Sequence, residues 1–216
     1  MERDLDTLIE FHNVKINYLE GLAHTAIVVI PDNQNEFFEN EKLKDNYKEL
    51  GYPKPEKFAD KLGWIVAGFR GEKEKKEEEG KLVVRFNDKV DIEVYKKINK
   101  WKTDTKLTGD IISEIKHPEK NDTELAKIII EKGILYGNRK PENYLAIPFL
   151  MEYKSDIFKK LSFKIGGFNC NAFSSSLLKE IGVKENFEGK RKIIGNRHNF
   201  DLQNKKEEEK WNVFSN

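Results

Sequence analysis

The sequence predicts an α+β domain: a mainly antiparallel sheet built early in the chain, packed against later helices, one of which carries the single cysteine. Three observations predict it. Two apolar β-runs, "LIEFHNVKIN" (Leu8 to Asn17) and "GLAHTAIVVIP" (Gly21 to Pro31), join around "YLEG". A hairpin pattern follows in "WIVAGFR" and "KLVVRF". Helical spacing then appears in "NDTELAKIIIEKG" and again in "NCNAFSSSLLKEIG".

Each element has its own justification. From Ala26 to Ile30 every residue is apolar, so both faces need cover and a central strand is expected. Residues 34–62 are polar and aromatic and are predicted to hold a helix ending near "KFADKLG", as an insertion. Trp64–Arg70 and Lys81–Phe86 are the hairpin arms. The tip between them, "GEKEKKEEEG", is the one low-complexity run and is too poor in apolar surface to be more than a solvated turn. "KVDIEVYKKINKW" fits strand and helix alike. In "NDTELAKIIIEKG", Asp122 or Thr123 supplies the cap and Gly133 the end. "NYLAIPFLMEY" is apolar but of no definite type. In the last helix Phe173, Leu177, Leu178 and Ile181 share a face, Asn169 or Asn171 caps the start, and Gly182 suits the C′ position. Helices are thus expected mostly late. Residues 1–200 read as one domain, and 201–216 as a polar Lys/Glu-rich tail whose Trp211 and Phe214 suit docking.

Composition excludes several function classes. The 39 basic and 38 acidic side chains leave a net charge of +1, so no global field draws nucleic acid or an anionic membrane. "EGKRKIIGNRH" reads as a solvated loop face. A lone cysteine excludes an internal disulfide and a Cys-rich zinc site, and His12, His24, His117 and His198 show no ligand spacing. Neither metal nor cofactor is expected. No run of apolar residues is long enough to span a bilayer, and "MERDLDTLIEFHN" lacks the apolar core of a signal peptide. The expectation is a soluble chain in a reducing compartment, cytoplasmic or exported without a cleaved signal.

Cys170 falls in the first turn of the last helix, where backbone N–H groups favour negative charge and lower a thiol pKa. The same groups, with the Asn169 or Asn171 amide, suit an oxyanion. Its natural partner is His24, a polar residue opening an otherwise apolar strand face with Ala26, Val28 and Ile30. The plainer alternatives are a space-filling thiol and a strand-end histidine bonded to a carbonyl.

These residues carry a resemblance. "FNCNAFSSSLL" resembles the helix start of circularly permuted papain-like proteins of the NlpC type, and is similar to the PPPDE thiol peptidases and the lecithin:retinol acyltransferase group. In those proteins the histidine strand comes first and the cysteine helix last, the order of "GLAHTAIVVIP…GWIVAGFR…NCNAFSSSLL". The resemblance covers both ends of the core and leaves the middle unmatched. It implies a permuted papain-like domain in which Cys170 attacks an acyl carbon and His24 moves the proton. Its implied substrates are a peptide or isopeptide amide, a peptidoglycan cross-link or an acyl ester, hydrolysed or transferred through an acyl-enzyme. A bacterial effector is among the implied roles. Ala172 departs from the family pattern, which has a second histidine or an aromatic there, and this bears on substrate type.

The family also implies a polar residue orienting the imidazole. Asp32 fails, because eight residues along one extended run put it about 26 Å from His24. Glu72 reaches if Trp64–Arg70 returns antiparallel to the histidine strand. Asn13 and Asn17 share the His24 face if "YLEG" pairs the first strands symmetrically, and an asparagine would fix the imidazole tautomer. His198 is an alternative base, His117 a surface residue and His12 a strand-face residue. The competing function is a non-catalytic binding protein on the same fold.

Overall fold

Five successive apolar residues, Ala26–Ile30, can be buried only where both faces of a strand are covered. The computed structural model places them there, and describes residues 8–13, 24–72, 75–139, 143–144, 149–154, 162–167 and 169–183. Its strands are β1 (Leu8–Asn13), β2 (His24–Val29), β3 (Glu56–Phe58), β4 (Lys61–Arg70), β5 (Leu82–Phe86), β6 (Thr108–Glu114), β7 (Phe149–Lys154) and β8 (Ser162–Gly167). Its helices are α1 (Gln34–Asn40), α2 (Leu43–Asn46), α3 (Lys89–Ile98), α4 (Asp122–Gly137) and α5 (Cys170–Glu180).

The main sheet runs β3-β4-β2-β1-β6, with β5 also paired to β4, and every pair is antiparallel. Strands β7 and β8 form a separate antiparallel pair. Alternation along β2 divides its side chains between two cores. Ile27 and Val29, with Trp64 and Val66 of β4, meet Phe37 and Phe38 of α1, Ile129 of α4 and Phe173 of α5. Ala26, Val28 and Ile30 meet Ile65, Ala67, Phe58 and Tyr95 of α3. The fold is therefore mixed α and β, with a sheet between helices. Each large apolar side chain buried this way contributes about 1.5–3 kcal/mol.

Several expectations need correction. The segment "KFADKLG" is a hairpin: Glu56–Phe58 pairs with Lys61–Gly63, and Ala59 takes a left-handed φ of 56° at the turn. Pro53 and Pro55 stand just upstream, where a helix would need free N–H donors. The helices of 34–62 come earlier, and Phe37, Phe38 and Leu43 are fully part of the main core. Helices are spread along the chain rather than gathered late, and the ambiguous Lys89 segment is one of them, capped by Asp88. Helix α4 is capped by Asn121, not by Asp122 or Thr123, and runs through Gly133 to Gly137. Gly133 is there for space: a Cβ on it would lie 2.8 Å from Phe86 Cζ. The expected end of α5 is found. Gly182 has φ 83°, its N–H donates to Lys179 O at 3.1 Å, and the Val183 N–H donates to Leu178 O at 2.9 Å. The polar tail from Asp201 lies outside the described residues.

Candidate active site

Helix α5 brings Cys170 to the sheet because one residue of β4 has no side chain. A Cβ on Gly68 would lie 3.3 Å from Cys170 Cα, 3.0 Å from Phe173 Cβ and 2.9 Å from Leu82 Cδ1. Thr25, buried on β2, secures the contact through its Oγ1, which donates to Ser174 Oγ at 3.0 Å. Asn169 begins the helix, its side chain accepting the Ala172 N–H at 3.0 Å. Cys170 is then the first helical residue, only 6 % exposed.

His24 begins β2 on the α3 side of the sheet, with its ring centroid 5.0 Å from that of Phe69. Being at the strand end, it spans the two layers. Its Nε2 lies 3.4 Å from Asp91 Oδ1 and 3.5 Å from Oδ2. The imidazole also lies near enough to the Cys170 thiol for each group to shift the other's titration. With Nε2 toward the carboxylate, Nδ1 is the ring nitrogen left for another partner. A thiol from one helix layer and a carboxylate from the other thus meet one ring at the end of the sheet.

The electrostatics favour the charged pair. Burial by itself depresses the imidazole, but the negative Cys170 and Asp91 outweigh it, and the His24 pKa stands well above the ordinary value. Burial likewise pushes the thiol up, yet the His24 charge and hydrogen bond reverse this and hold it below a free thiol. The neighbouring backbone of Thr25 and Asn171 lowers it further. When the thiol is neutral, its S–H donates to Asn171 Oδ1 at 3.6 Å. Asp91, 2 % exposed, is a carboxylate that burial would penalise severely without such a cation.

Of the residues proposed from the sequence, Cys170 and His24 come together. The residue beside the imidazole is Asp91, which that reading missed. Glu72 goes elsewhere: the end of β4 does return toward His24, but the carboxylate accepts from Arg85 at 2.6 Å. Arg85 in turn lies over the Phe69 ring, so two side chains stand between Glu72 and the imidazole. The β1–β2 register sets His12 opposite His24, and Asn13 opposite Thr108 of β6, out of register with the imidazole. Asn17 and His198 lie outside the described residues. Asp32, as expected, is far off, paired with Lys61 at 2.9 Å. His117 accepts the Glu119 N–H near the end of α5. Asn169 and Asn171 flank Cys170 with their amide oxygens already engaged, one by the Ala172 N–H and one by the thiol.

A signal for Asp91 was present. Asp91, Val94 and Tyr95 lie at helical spacing and are all buried, so a carboxylate sits within the apolar stripe of α3. Only the ambiguous strand-or-helix pattern of that segment concealed it. Among the described residues no cluster of three His, Cys, Asp or Glu could hold a metal ion, and no helix is long and apolar enough to cross a membrane. No protein-family model, curated protein or solved structure matches the chain.

Proposed function

We propose that this chain is a thiol-dependent hydrolase or acyltransferase with a Cys170–His24–Asp91 triad on a permuted papain-like fold. One observation carries the reading: a single imidazole joins a sulfur at a helix N-terminus to a buried carboxylate. The order of histidine strand before cysteine helix supports the permuted fold. Suitable acyl donors are a peptide or isopeptide amide, a peptidoglycan cross-link or a lipid ester. A cytoplasmic site of action, or export without a cleaved signal, fits a thiol kept reduced.

In this reading the Cys170 thiolate attacks the acyl carbon while the carbonyl electron pair moves to oxygen. The Cys170 N–H, at the first helical position, has no intrahelical acceptor and faces the developing charge. The His24 imidazolium gives its proton to the leaving group as the carbon–leaving-group bond breaks. Water, or an acceptor alcohol or amine, then gives a proton to His24 and attacks the thioester. Asp91 holds the ring and its positive charge throughout. Activity needs thiolate and imidazolium together. The acid limb of the pH profile follows the lowered thiol and the alkaline limb the raised imidazole, giving a bell with limbs on either side of a shared window.

The test is labelling by a thiol-directed acyl probe. Cys170→Ala abolishes it with the fold intact, and His24→Ala reduces it strongly. Equal labelling of wild type and His24→Ala would reject the pairing. The competing reading, a binding protein with an inert thiol, draws on the burial of Cys170. It requires a thiol titrating at or above about 8.5.

A further inference from the structure

Thr25 follows His24 in β2, and Ser174 stands one helical turn beyond Cys170 in α5. Both side chains are fully buried. Alternation along β2 turns Thr25 to the face of Ile27 and Val29, which α5 covers. The β2–β4 register pairs Ile27 with Val66. Carried to the strand end, it sets Thr25 across from Gly68 and His24 across from Phe69, whose rings lie 5.0 Å apart. The first turn of α5 thus rests on a glycine that supplies room and a threonine that supplies a hydroxyl. Thr25 Oγ1 donates to Ser174 Oγ at 3.0 Å, and Ser174 Oγ donates to Thr25 O at 3.4 Å. The same Thr25 Oγ1 lies 3.5 Å from Cys170 O. Packing alone does not call for this. Valine has the shape of threonine, and a buried hydroxyl pair replaced on both sides by apolar groups costs little stability. What the hydroxyls add is direction: they bond at one rotation and one height of the helix, whereas apolar contact is non-directional.

We propose that Thr25 and Ser174 are positioning residues, whose hydroxyl pair fixes α5 on the sheet and so sets the Cys170 sulfur against the His24 imidazole. This rests on Cys170 being the nucleophile and His24 its partner. The leverage is geometric. A slip of one residue along α5 turns a side chain by about 100° and carries it about 1.5 Å along the axis. A misplacement of about 1 Å is enough to cost a reaction roughly 100-fold. Cys170 is the first helical residue, so no preceding turn of α5 holds it in place. The tie one turn further on does, and its other end is the residue next to His24. Fully buried, neither hydroxyl meets substrate, and both act through Cys170 and His24. Asp91 orients the ring from the α3 side of the sheet, and the hydroxyl pair places the sulfur from the α5 side.

Iodoacetamide alkylation of Cys170, followed against pH in the full chain, reads the placement of the sulfur through its titration. Thr25→Val keeps the shape and loses the bond. It is expected to slow alkylation at neutral pH by about 10-fold, with the titration moved toward that of a free thiol. Thr25→Ser loses a methyl but keeps the hydroxyl, and its rate and titration should stay near wild type. Ser174→Ala removes the bond from the helix side and should move the titration the same way, and the Thr25→Val/Ser174→Ala double variant should be no slower than Thr25→Val alone. In a His24→Ala background, Thr25→Val should leave the titration where His24→Ala puts it. Three results would each overturn the proposal: Thr25→Val and Ser174→Ala titrating as wild type, Thr25→Ser losing as much as Thr25→Val, or Thr25→Val still shifting the thiol when His24 is gone. If Thr25→Val does not fold, Ser174→Ala and Thr25→Ser carry the same comparison. Wild-type Cys170 reacting no faster than a free thiol at neutral pH would instead remove the nucleophile reading beneath it.

Discussion

Helices α4 and α5 both start at an asparagine, and they treat their N-terminal charge in opposite ways. At α4, Asn121 accepts the Glu124 N–H at 2.8 Å while Glu124 accepts the Asn121 N–H at 3.2 Å, a full capping box on an exposed turn. Asp122 adds a second acid to that first turn. At α5, Asn169 caps Ala172, but the first turn holds no acid and is buried. The group there that can become negative is the Cys170 sulfur, and its counter-charge is supplied across the sheet by His24. One N-terminus is neutralised by its own sequence and faces water. The other is completed only by tertiary contacts, which is the arrangement an ionisable nucleophile requires.

The contrast can be broken at its buried end. Asp91→Asn removes the anion that supports the imidazolium, so the His24 pKa falls and, with less imidazolium, the thiol pKa rises. We expect a loss of roughly 10²- to 10⁴-fold in kcat. The alkaline limb of the pH profile should move down, and the iodoacetamide titration of Cys170 should move up. Titrations superimposable on wild type would remove Asp91 from the site.

Gly68→Ala attacks the approach of α5 itself. The new Cβ has backbone as one of its neighbours, so the helix must yield, at a cost of about 1–3 kcal/mol in thermal unfolding and with reduced Cys170 reactivity. Gly137→Ala at the end of α4 is the matching control. Its Cβ would meet Val84 at an ordinary 3.8 Å, so stability should hold or rise slightly and reactivity should not change.

The smallest effect sharpens the comparison most directly. Asn121→Ala and Asn169→Ala each remove one cap, worth about 1 kcal/mol in chemical denaturation. Only Asn169→Ala should alter the alkylation rate of Cys170. An equal change in both variants would mean that the two N-termini are not functionally distinct.

Legibility followed the range of the forces involved. The helix of α5, its buried face and its glycine end were readable because they depend on residues within a few positions of one another. The β4–β5 hairpin was readable for the same reason, since its arms are contiguous around a charged tip. The "KFADKLG" segment was misread because its strand is only three residues long and shows no periodicity before it pairs with β4. Glu72 was plausible by strand direction alone, but Arg85, across the hairpin, captures it. Asp91 was hidden because what matters there is the α3 face on which the carboxylate lies.

By itself the sequence determined an ionisable sulfur at a capped helix start, a histidine at the head of a central strand, and a nearly neutral surface charge. Those properties are local or additive, and they need no knowledge of distant neighbours. The tertiary structure alone decided that α3 and α5, on opposite faces of one sheet, both reach the imidazole at its end. Such meetings depend on strand register and on a missing side chain at Gly68, and a contact between residues far apart in the chain leaves no periodic trace in either partner.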